Sequence, residues 1–443
     1  MNKKLLATLL CSSFGVFSLP ASADNLQSVY QLATQKDPVV LRAAASRDAA
    51  AARIDIVKAE LLPSIGFTTS LTRADRRDWT FSDDRTILSG DIRLEQSIYD
   101  RRNWQSLTIE EKRALQAQTI YNSTAQTLIV RVTDGYFNVL KAKDDLTFIQ
   151  AEKRSIERQL EQTKQRFAVG LTAITDVHEA QAQYDNALAR EISTENALEF
   201  ALEQLREITG RYHDDLATLN TDRFSTAPLS PAEPQQWLNI AEENNFELQA
   251  QRIGLEIARL EIDRARSGHL PTLGLEANIG SSKERGYNQN FTQFATSPRE
   301  DSSSIGVALR VPIFSGGRTN AGVNVAQANF VETSEQMEQT YRSTVRQVRN
   351  SFNNVRALAS SIRALEQAVV SANSALQATE AGFEVGTRTI VDVLVSTRNL
   401  FDARRNLSRA RYDYILSVLD LKLAAGNLTE QDLLDINSAL FRS

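Results

Sequence analysis

The sequence predicts an α+β membrane protein in which a tandem repeat supplies four membrane-crossing β-strands and long coiled-coil helices. Three features support this class: a secretory signal at the N-terminus, self-similarity between the two halves, and strand-like pairs that precede proline-free stretches. Alternating apolar and polar residues indicate strands, whereas a long stretch without proline permits an uninterrupted helix.

Composition excludes several functional classes before any motif is considered. The 443 residues carry a net charge of -5, so no basic excess is available to neutralise nucleic-acid phosphates. One cysteine and three histidines exclude a disulfide framework and make a Cys/His metal site unexpected. Because no catalytic spacing is found either, we expect no cofactor, no metal, no nucleic-acid partner and no enzymatic activity.

The first 23 residues are predicted to be a signal peptide. Two lysines precede an apolar stretch at 5–19, and small residues at 21–23 supply a cleavage site. A membrane anchor is the alternative, but it would need ~20 apolar residues, and this run ends at Pro20. We therefore expect cleavage before Asp24 and export across the inner membrane of a bacterium.

The mature chain is predicted to be a duplication. Residues 61–67 recur at 269–275 with an offset of 208, and residues 167–177 recur at 383–393 with an offset of 216. The predicted units are a first repeat at 24–227, a second repeat at 228–426 and a C-terminal segment at 427–443.

Each repeat is predicted to contain one shorter helix and two long ones. No proline lies between Pro63 and Pro228 or after Pro312, so nothing interrupts helical hydrogen bonding there. Apolar and small residues recur at steps of three and four, which indicates helices packed lengthwise in a coiled coil. The predicted helices are 37–61, 101–168, 172–209, 235–268, 318–384 and 389–425.

Two strand-like segments precede each pair of long helices. Apolar and polar residues alternate in them over about ten positions, as in strands that cross a membrane. A soluble hairpin packed on a helix shows the same pattern and is the alternative. Four strands cannot close a barrel, so membrane crossing would require several chains. The predicted strands are 64–73, 88–98, 272–282 and 303–314.

Four motifs, at 166–177, 268–273, 385–394 and 427–434, resemble the TolC family of outer-membrane efflux and secretion channels (outer membrane factors) of Gram-negative bacteria. The resemblance implies a homotrimer with a shared twelve-stranded barrel in outer-membrane lipid, a periplasmic helical tunnel and an equatorial belt that includes 427–443. It also implies two partners, a periplasmic adaptor (membrane fusion) protein and an inner-membrane efflux pump or ABC transporter. Such an assembly would export drugs, toxins or proteins.

The resemblance further implies a latch that closes the periplasmic end and opens on docking. Arg388 matches the gating arginine of the family, and Thr175 and Asp176 match its partners. Phe383 stands where relatives have a tyrosine that bonds the same aspartate, so we expect a looser closed state. Helix-start chemistry is the alternative role of Thr172, Thr175 and Asp176, because such residues satisfy free N–H groups in a first turn.

Two further sites are predicted in the same region. Asp392 would place a ring of three carboxylates at the narrowest point of a trimer and favour cations, although a solvated aspartate is the alternative. Val395 stands where the family often repeats the acid, so we expect weak cation selectivity. The surface that the family presents to its adaptor corresponds to Gly170, Leu171, Gly386 and Thr387.

A soluble periplasmic coiled-coil scaffold is the main competing function. It accounts for the signal, the helices and the repeat, but not for amphipathic strand pairs joined by polar loops. The two functions differ in one simple property: a scaffold would leave the membrane in a carbonate wash, whereas a barrel would need detergent.

Overall fold

The computed structural model describes residues 24–78, 81–221, 224–226, 228–288, 294–296 and 298–440. The predicted signal peptide at 1–23 lies outside these residues. Within the described ranges, no helix has both the length and the apolar composition that a membrane span requires.

The first repeat begins with two helices, of which the sequence predicts only the second, at 37–61. Asp37 separates them: its carboxylate accepts a hydrogen bond of 2.9 Å from the N–H of Val40, and Pro38 occupies the first turn of the second helix. This cap explains the break. The elements are α1 (Leu26–Lys36), α2 (Pro38–Ala59), β1 (Ser64–Asp78), β2 (Phe81–Tyr99), α3 (Arg101–Ala168) and α4 (Ile174–Thr209).

The second repeat breaks its first helix at the equivalent position. Asn245 lies 208 residues after Asp37, and its side chain accepts a hydrogen bond of 3.0 Å from the N–H of Leu248. The helix predicted at 235–268 is therefore two helices. The elements are α5 (Pro234–Asn244), α6 (Phe246–Arg266), β3 (Thr272–Asn288), β4 (Phe294–Thr296), β5 (Glu300–Arg310), α7 (Arg318–Glu384), α8 (Ile390–Ala425) and α9 (Glu430–Ser438).

The strands differ in length from the predicted ones. β1 and β2 extend well beyond 64–73 and 88–98, because their ladder continues through polar residues that the alternation rule assigns to a loop. In contrast, β5 ends at Arg310 although the prediction continues to 314. Pro312 explains this end, because proline has no N–H to donate to a ladder.

The sheet is antiparallel in the order β1-β2-β3-β5, with the short β4 beside β3. Its register aligns Phe67 with Ile92 and Ile92 with Ile279, so apolar residues from neighbouring strands share one face. Polar and small residues share the other face. The apolar side chains are exposed in this chain, at 71% for Phe67 and 78% for Ile305, so this face has no covering layer among the described residues.

The outer edges of the sheet belong to β1 and β5. Within the described residues, each of these strands pairs on one side only, β1 with β2 and β5 with β3. A strand with one unpaired side presents a row of free N–H and C=O groups that can bind another strand. The sheet is therefore open at both edges.

The helices form a long bundle below the sheet. α3 and α7 contain 68 and 67 residues, which corresponds to roughly 100 Å at 1.5 Å per residue. α3 packs on α4 and α8, and α7 packs on α8 and α6. One apolar core lies where α1, α3, α4 and α9 meet, a second joins α5, α7 and α8, and a third lies near the far end of the bundle.

Candidate functional site at the two helix tips

Two tight turns form the end of the bundle farthest from the sheet. The α3–α4 turn contains Gly170 with φ 77°, and the α7–α8 turn contains Gly386 with φ 79°. Both turns have the hydrogen bonds of a Schellman motif: the N–H of Leu171 donates to the carbonyl of Arg166, and the N–H of Thr387 donates to that of Gly382, each at 2.8 Å. Because residues with a Cβ rarely adopt this conformation, glycine is required at both positions.

The surface of the two tips is exposed and partly apolar. Leu171 is 69% exposed, and Val169 and Val385 are exposed to a similar degree. Thr387 is exposed as well. All four predicted docking residues therefore lie on one accessible end of the chain, where a second protein can reach them.

α8 begins with a complete capping box. The hydroxyl of Thr389 accepts a hydrogen bond of 3.2 Å from the N–H of Asp392, and the Asp392 carboxylate accepts one of 2.9 Å from the N–H of Thr389. The Asp392 carboxylate accepts hydrogen bonds from both the backbone N–H and the hydroxyl of Thr389. Both bonds lower the pKa of Asp392 below its usual range, and the bond from the backbone N–H has the larger effect. Asp392 therefore has a helix-start role, which the sequence suggested for Asp176 and not for Asp392, and it stays ionised at neutral pH.

α4 begins differently, although Asp176 is the repeat equivalent of Asp392. Ala173 occupies the cap position and offers no side-chain hydrogen bond. The Asp176 carboxylate instead accepts a hydrogen bond from the hydroxyl of Thr172. Thr175 makes no side-chain hydrogen bond among the described residues. The Asp176 carboxylate is thus not hydrogen-bonded to the N-terminal backbone of its own helix among the described residues.

Within one chain, the structure does not bring the four predicted latch residues together. No hydrogen bond or ion pair between described residues joins Arg388 to Thr175 or Asp176. The Arg388 side chain instead lies over Gly382, where a Cβ would approach the Arg388 Cγ to 2.7 Å. Phe383 packs on the apolar core of the tip, as Val177 also does.

Arg166 is a tip residue to which sequence reasoning assigned no role. Its guanidinium carbon lies 4.7 Å from the ring centroid of Phe383, a cation–π contact that joins the end of α3 to the end of α7. The Arg166 Nε is buried without a hydrogen-bond partner within the described residues. A comparison of the two repeats could have drawn attention to Arg166. The first turn has an arginine before it (Arg166, equivalent to Gly382), whereas the second turn has one after it (Arg388, equivalent to Thr172).

The predicted constriction residues lie on the solvent side of α8. Ile390, Val393 and Leu394 are buried in the apolar core of the tip, whereas Val395 is 39% exposed. With 3.6 residues per turn, Asp392 and Val395 occupy the face opposite that core. The structure therefore leaves both side chains on a surface that a second chain or a channel can share.

Two ion pairs hold α3 against α4 above the tip. The guanidinium of Arg190 donates to the carboxylate of Glu152 at 2.6 Å, and Lys153 pairs with Glu191. Glu152 is 1% exposed, so its charge depends on Arg190 for compensation. No group of three or more His, Cys, Asp or Glu in the described part of the chain is arranged to hold a metal ion.

The chain is similar in sequence to known outer-membrane proteins. Residues 29–211 and 237–427 match the family described as Outer membrane efflux protein. The Outer membrane protein TolC of Vibrio cholerae is 46% identical over 441 residues, which cover 99% of both chains. The Alkaline protease secretion protein AprF of Pseudomonas aeruginosa is 32% identical, over 95% of this chain and 89% of that protein.

Solved structures share the fold. The Campylobacter jejuni CmeC outer membrane channel has a TM-score of 0.77 at 17% identity and covers 94% of this chain and 90% of its own. CusC gives the same TM-score at 17% identity, over 91% of this chain and 92% of its own. The predicted combination of long helices with a sheet is confirmed at the level of the fold.

Proposed function

We infer the function from one premise: the chain belongs to the outer membrane efflux protein family. The predicted resemblance to the TolC family is therefore confirmed. The protein is an outer-membrane channel of a Gram-negative bacterium, with its long helices in the periplasm, and family membership supports a channel rather than an enzyme. Because relatives are named for protease secretion, we propose secreted proteins as cargo beside drugs and toxins.

The open, one-sided sheet carries the finer proposal, a homotrimer. β1 and β5 each have one free edge, and β1 of one chain can pair with β5 of the next until three sheets close a twelve-stranded barrel. The exposed apolar face would then contact lipid, and the polar face would line the lumen. Closure explains both why the edges are unpaired and why large apolar side chains are exposed.

The exposed tips support the proposed partners. A periplasmic adaptor would bind around Gly170, Leu171, Gly386 and Thr387, and an inner-membrane efflux pump or ABC transporter would deliver cargo to the same end. The apolar surface of Leu171 and Val385 suits a protein partner, because exposed apolar patches mark interaction sites.

Contacts between neighbouring chains complete the proposed latch. Arg388 makes no ion pair with a described carboxylate of its own chain, and the Asp176 carboxylate accepts a side-chain hydrogen bond from Thr172. In a trimer, Arg388 of one chain would hold Asp176 and Thr175 of the next with bidentate geometry. Asp392 would form the ring of three carboxylates, because only one of its oxygens is engaged by the capping box.

Single-channel current in a planar bilayer with a salt gradient tests this function. We expect a small, steady, cation-preferring conductance from the purified trimer and a several-fold larger one from Arg388→Gln. Arg398→Gln is the matched control, because it removes an exposed arginine from α8, the helix that follows the Arg388 turn, outside the latch.

Two outcomes would contradict the proposal. A folded protein that carbonate removes from membranes, and that is silent both as wild type and as Arg388→Gln, would indicate a periplasmic scaffold. If Arg398→Gln increased the conductance as much as Arg388→Gln, the loss of a positive charge near the pore, and not the loss of the latch, would explain the increase.

A further inference from the structure

We propose that the apolar face of the sheet ends in a binding site for a phosphorylated lipid headgroup, formed by Lys283 and Arg285 of β3. This inference rests on the proposed function, because it requires the sheet to cross the outer membrane. Nothing in the predicted latch, constriction or docking surface involves these residues.

The register places the two cations on the apolar face. Alternate residues of β3 share a face, so Lys283 and Arg285 continue the row that begins with Leu273, Leu275 and Ile279. Lys283 is paired with Leu88, a member of the same face on β2. The cations therefore lie where this face changes from apolar to polar.

The apolar row has the length of the hydrocarbon layer. On β3 the apolar side chains end at Ile279, but on the neighbouring β2 the same face extends from Leu88 to Ile98, which is eleven residues. This length lies within the nine to eleven that a tilted strand needs to cross the layer. The side chains at 283 and 285 then reach the level of the headgroups. A lysine or arginine at this level can keep its stem against lipid and its charge among the headgroups.

Lys283 and Arg285 differ from the cations of the opposite face. On the polar face, Arg85 pairs with Glu284 at 3.1 Å and Arg93 with Glu95 at 3.6 Å. No described carboxylate lies within ion-pair distance of Lys283 or Arg285, and both are exposed. Because neither cation has an ion-pair partner among the described residues, an anion from the surroundings is the complementary partner for their positive charge.

Arg299 adds a third guanidinium to this region. Its Nε donates to the hydroxyl of Ser281 at 2.7 Å and to the carboxylate of Asp301 at 2.8 Å, which holds it beside β3. Arg299 is already paired, so we assign it to the border of the site. Lys283 and Arg285 carry the proposed binding.

The connections of the strands identify the leaflet. All four long strands join helices at one end of the sheet, near Ser64, Tyr99, Thr272 and Arg310. Lys283 and Arg285 lie towards the opposite end. With the helices in the periplasm, the site faces the outer leaflet, whose glycolipid carries phosphate groups. Clusters of Lys and Arg at a membrane surface attract such anionic headgroups.

Native mass spectrometry of the detergent-solubilised trimer, titrated with lipid A, tests the site. We expect diphosphorylated lipid A to bind at least tenfold more tightly than dephosphorylated lipid A. Lys283→Gln/Arg285→Gln should weaken binding about 25-fold, or about fivefold for each cation. The matched control Arg93→Gln/Arg310→Gln removes two cations from the polar face and should change affinity less than twofold.

The outcomes separate this inference from the proposed function. A protein that carbonate extracts from membranes would refute the membrane-crossing sheet itself. An integral trimer with equal affinity for both lipid forms, or one in which the control loses as much affinity as the test variant, would overturn only the headgroup site. Displacement of lipid A by millimolar inorganic phosphate would also overturn it, because the site would then bind the free anion.

Discussion

The two long helical hairpins share one backbone plan but are held together by different side chains. α3–α4 and α7–α8 have nearly equal lengths, and their turns have the same glycine geometry. α3–α4 is joined by Glu152–Arg190 and Lys153–Glu191. The equivalent residues of α7–α8 are Ala368, Val369, Asn406 and Leu407. The shared backbone structure of the two hairpins therefore depends on their glycine turns and on the apolar residues packed between the helices. The remaining positions were free to diverge after duplication.

The tips diverge in the same way. Thr389 and Asp392 form a capping box in the second hairpin, whereas Ala173 prevents one in the first. The two duplicated acids thus make different bonds: the Asp392 carboxylate caps the start of its own helix, whereas the Asp176 carboxylate accepts a hydrogen bond from Thr172. A repeat predicts where equivalent residues lie but not which bonds they make.

Breaking the Glu152–Arg190 pair should have the largest effect on stability. Arg190→Ala would leave a buried carboxylate without its cation, so we expect a loss of about 3 kcal/mol in the free energy of unfolding. Glu152→Ala/Arg190→Asn installs the residues of the second hairpin and should restore most of it. Urea unfolding followed by circular dichroism measures both. Equal instability of the single and double variants would contradict this account.

Exchanging the caps should have the next largest effect. Thr389→Ala removes the capping box and should cost about 1 kcal/mol of unfolding free energy, whereas Thr389→Ser should cost little. Ala173→Thr offers Asp176 a capping box of its own and should draw its carboxylate away from the latch. We expect this variant to be more stable than wild type and yet more conductive. Unchanged bilayer current with greater stability would show that Asp176 is not a latch residue.

The capping box also predicts a pH dependence. Hydrogen bonds from Thr389 lower the pKa of Asp392 below 3.8, so the stabilisation is present above this value and is lost as the pH falls through the lower pKa of the folded state. The cation preference of the proposed carboxylate ring should therefore persist at pH 4. Thr389→Ala should lose it at a higher pH, and Asp392→Asn should lack it throughout. Reversal potentials across a salt gradient measure this. Identical titrations of wild type and Thr389→Ala would refute the link.

The sequence predicted those features that depend on periodicity and local chemistry. The long helices were predicted from stretches without proline in which apolar residues recur at steps of three and four. The strands were predicted from the alternation of apolar and polar residues. The break at Asn245 was missed, because a single capping residue competes with a continuing apolar pattern. The short helix α1, which ends before Asp37, was not predicted. The contact between Arg166 and Phe383 was missed for another reason: it joins residues 217 positions apart, and only the packing of α3 near α7 brings them together.

The Arg166–Phe383 contact should have the smallest effect. It joins the first hairpin to the second at their ends, and a cation–π pair contributes about 0.5–1 kcal/mol. Phe383→Leu keeps apolar packing but removes the ring, so we expect the open state of the channel to gain about two- to fivefold in population. Phe383→Tyr keeps the ring and adds a hydroxyl that can bond Asp176, so its conductance should be no larger than that of wild type.

A double-mutant cycle in single-channel conductance separates this contact from general packing. If Arg166 acts through the ring, Arg166→Gln should loosen the closed state in wild type but have little further effect in Phe383→Leu. Arg166→Lys is the conservative control, because it keeps a cation near the ring and should retain part of the coupling. Additive effects would show that Arg166 and Phe383 act independently. The two hairpins would then be joined at their tips by the apolar core alone, and the missing tyrosine hydroxyl would be the only consequence of having phenylalanine at position 383.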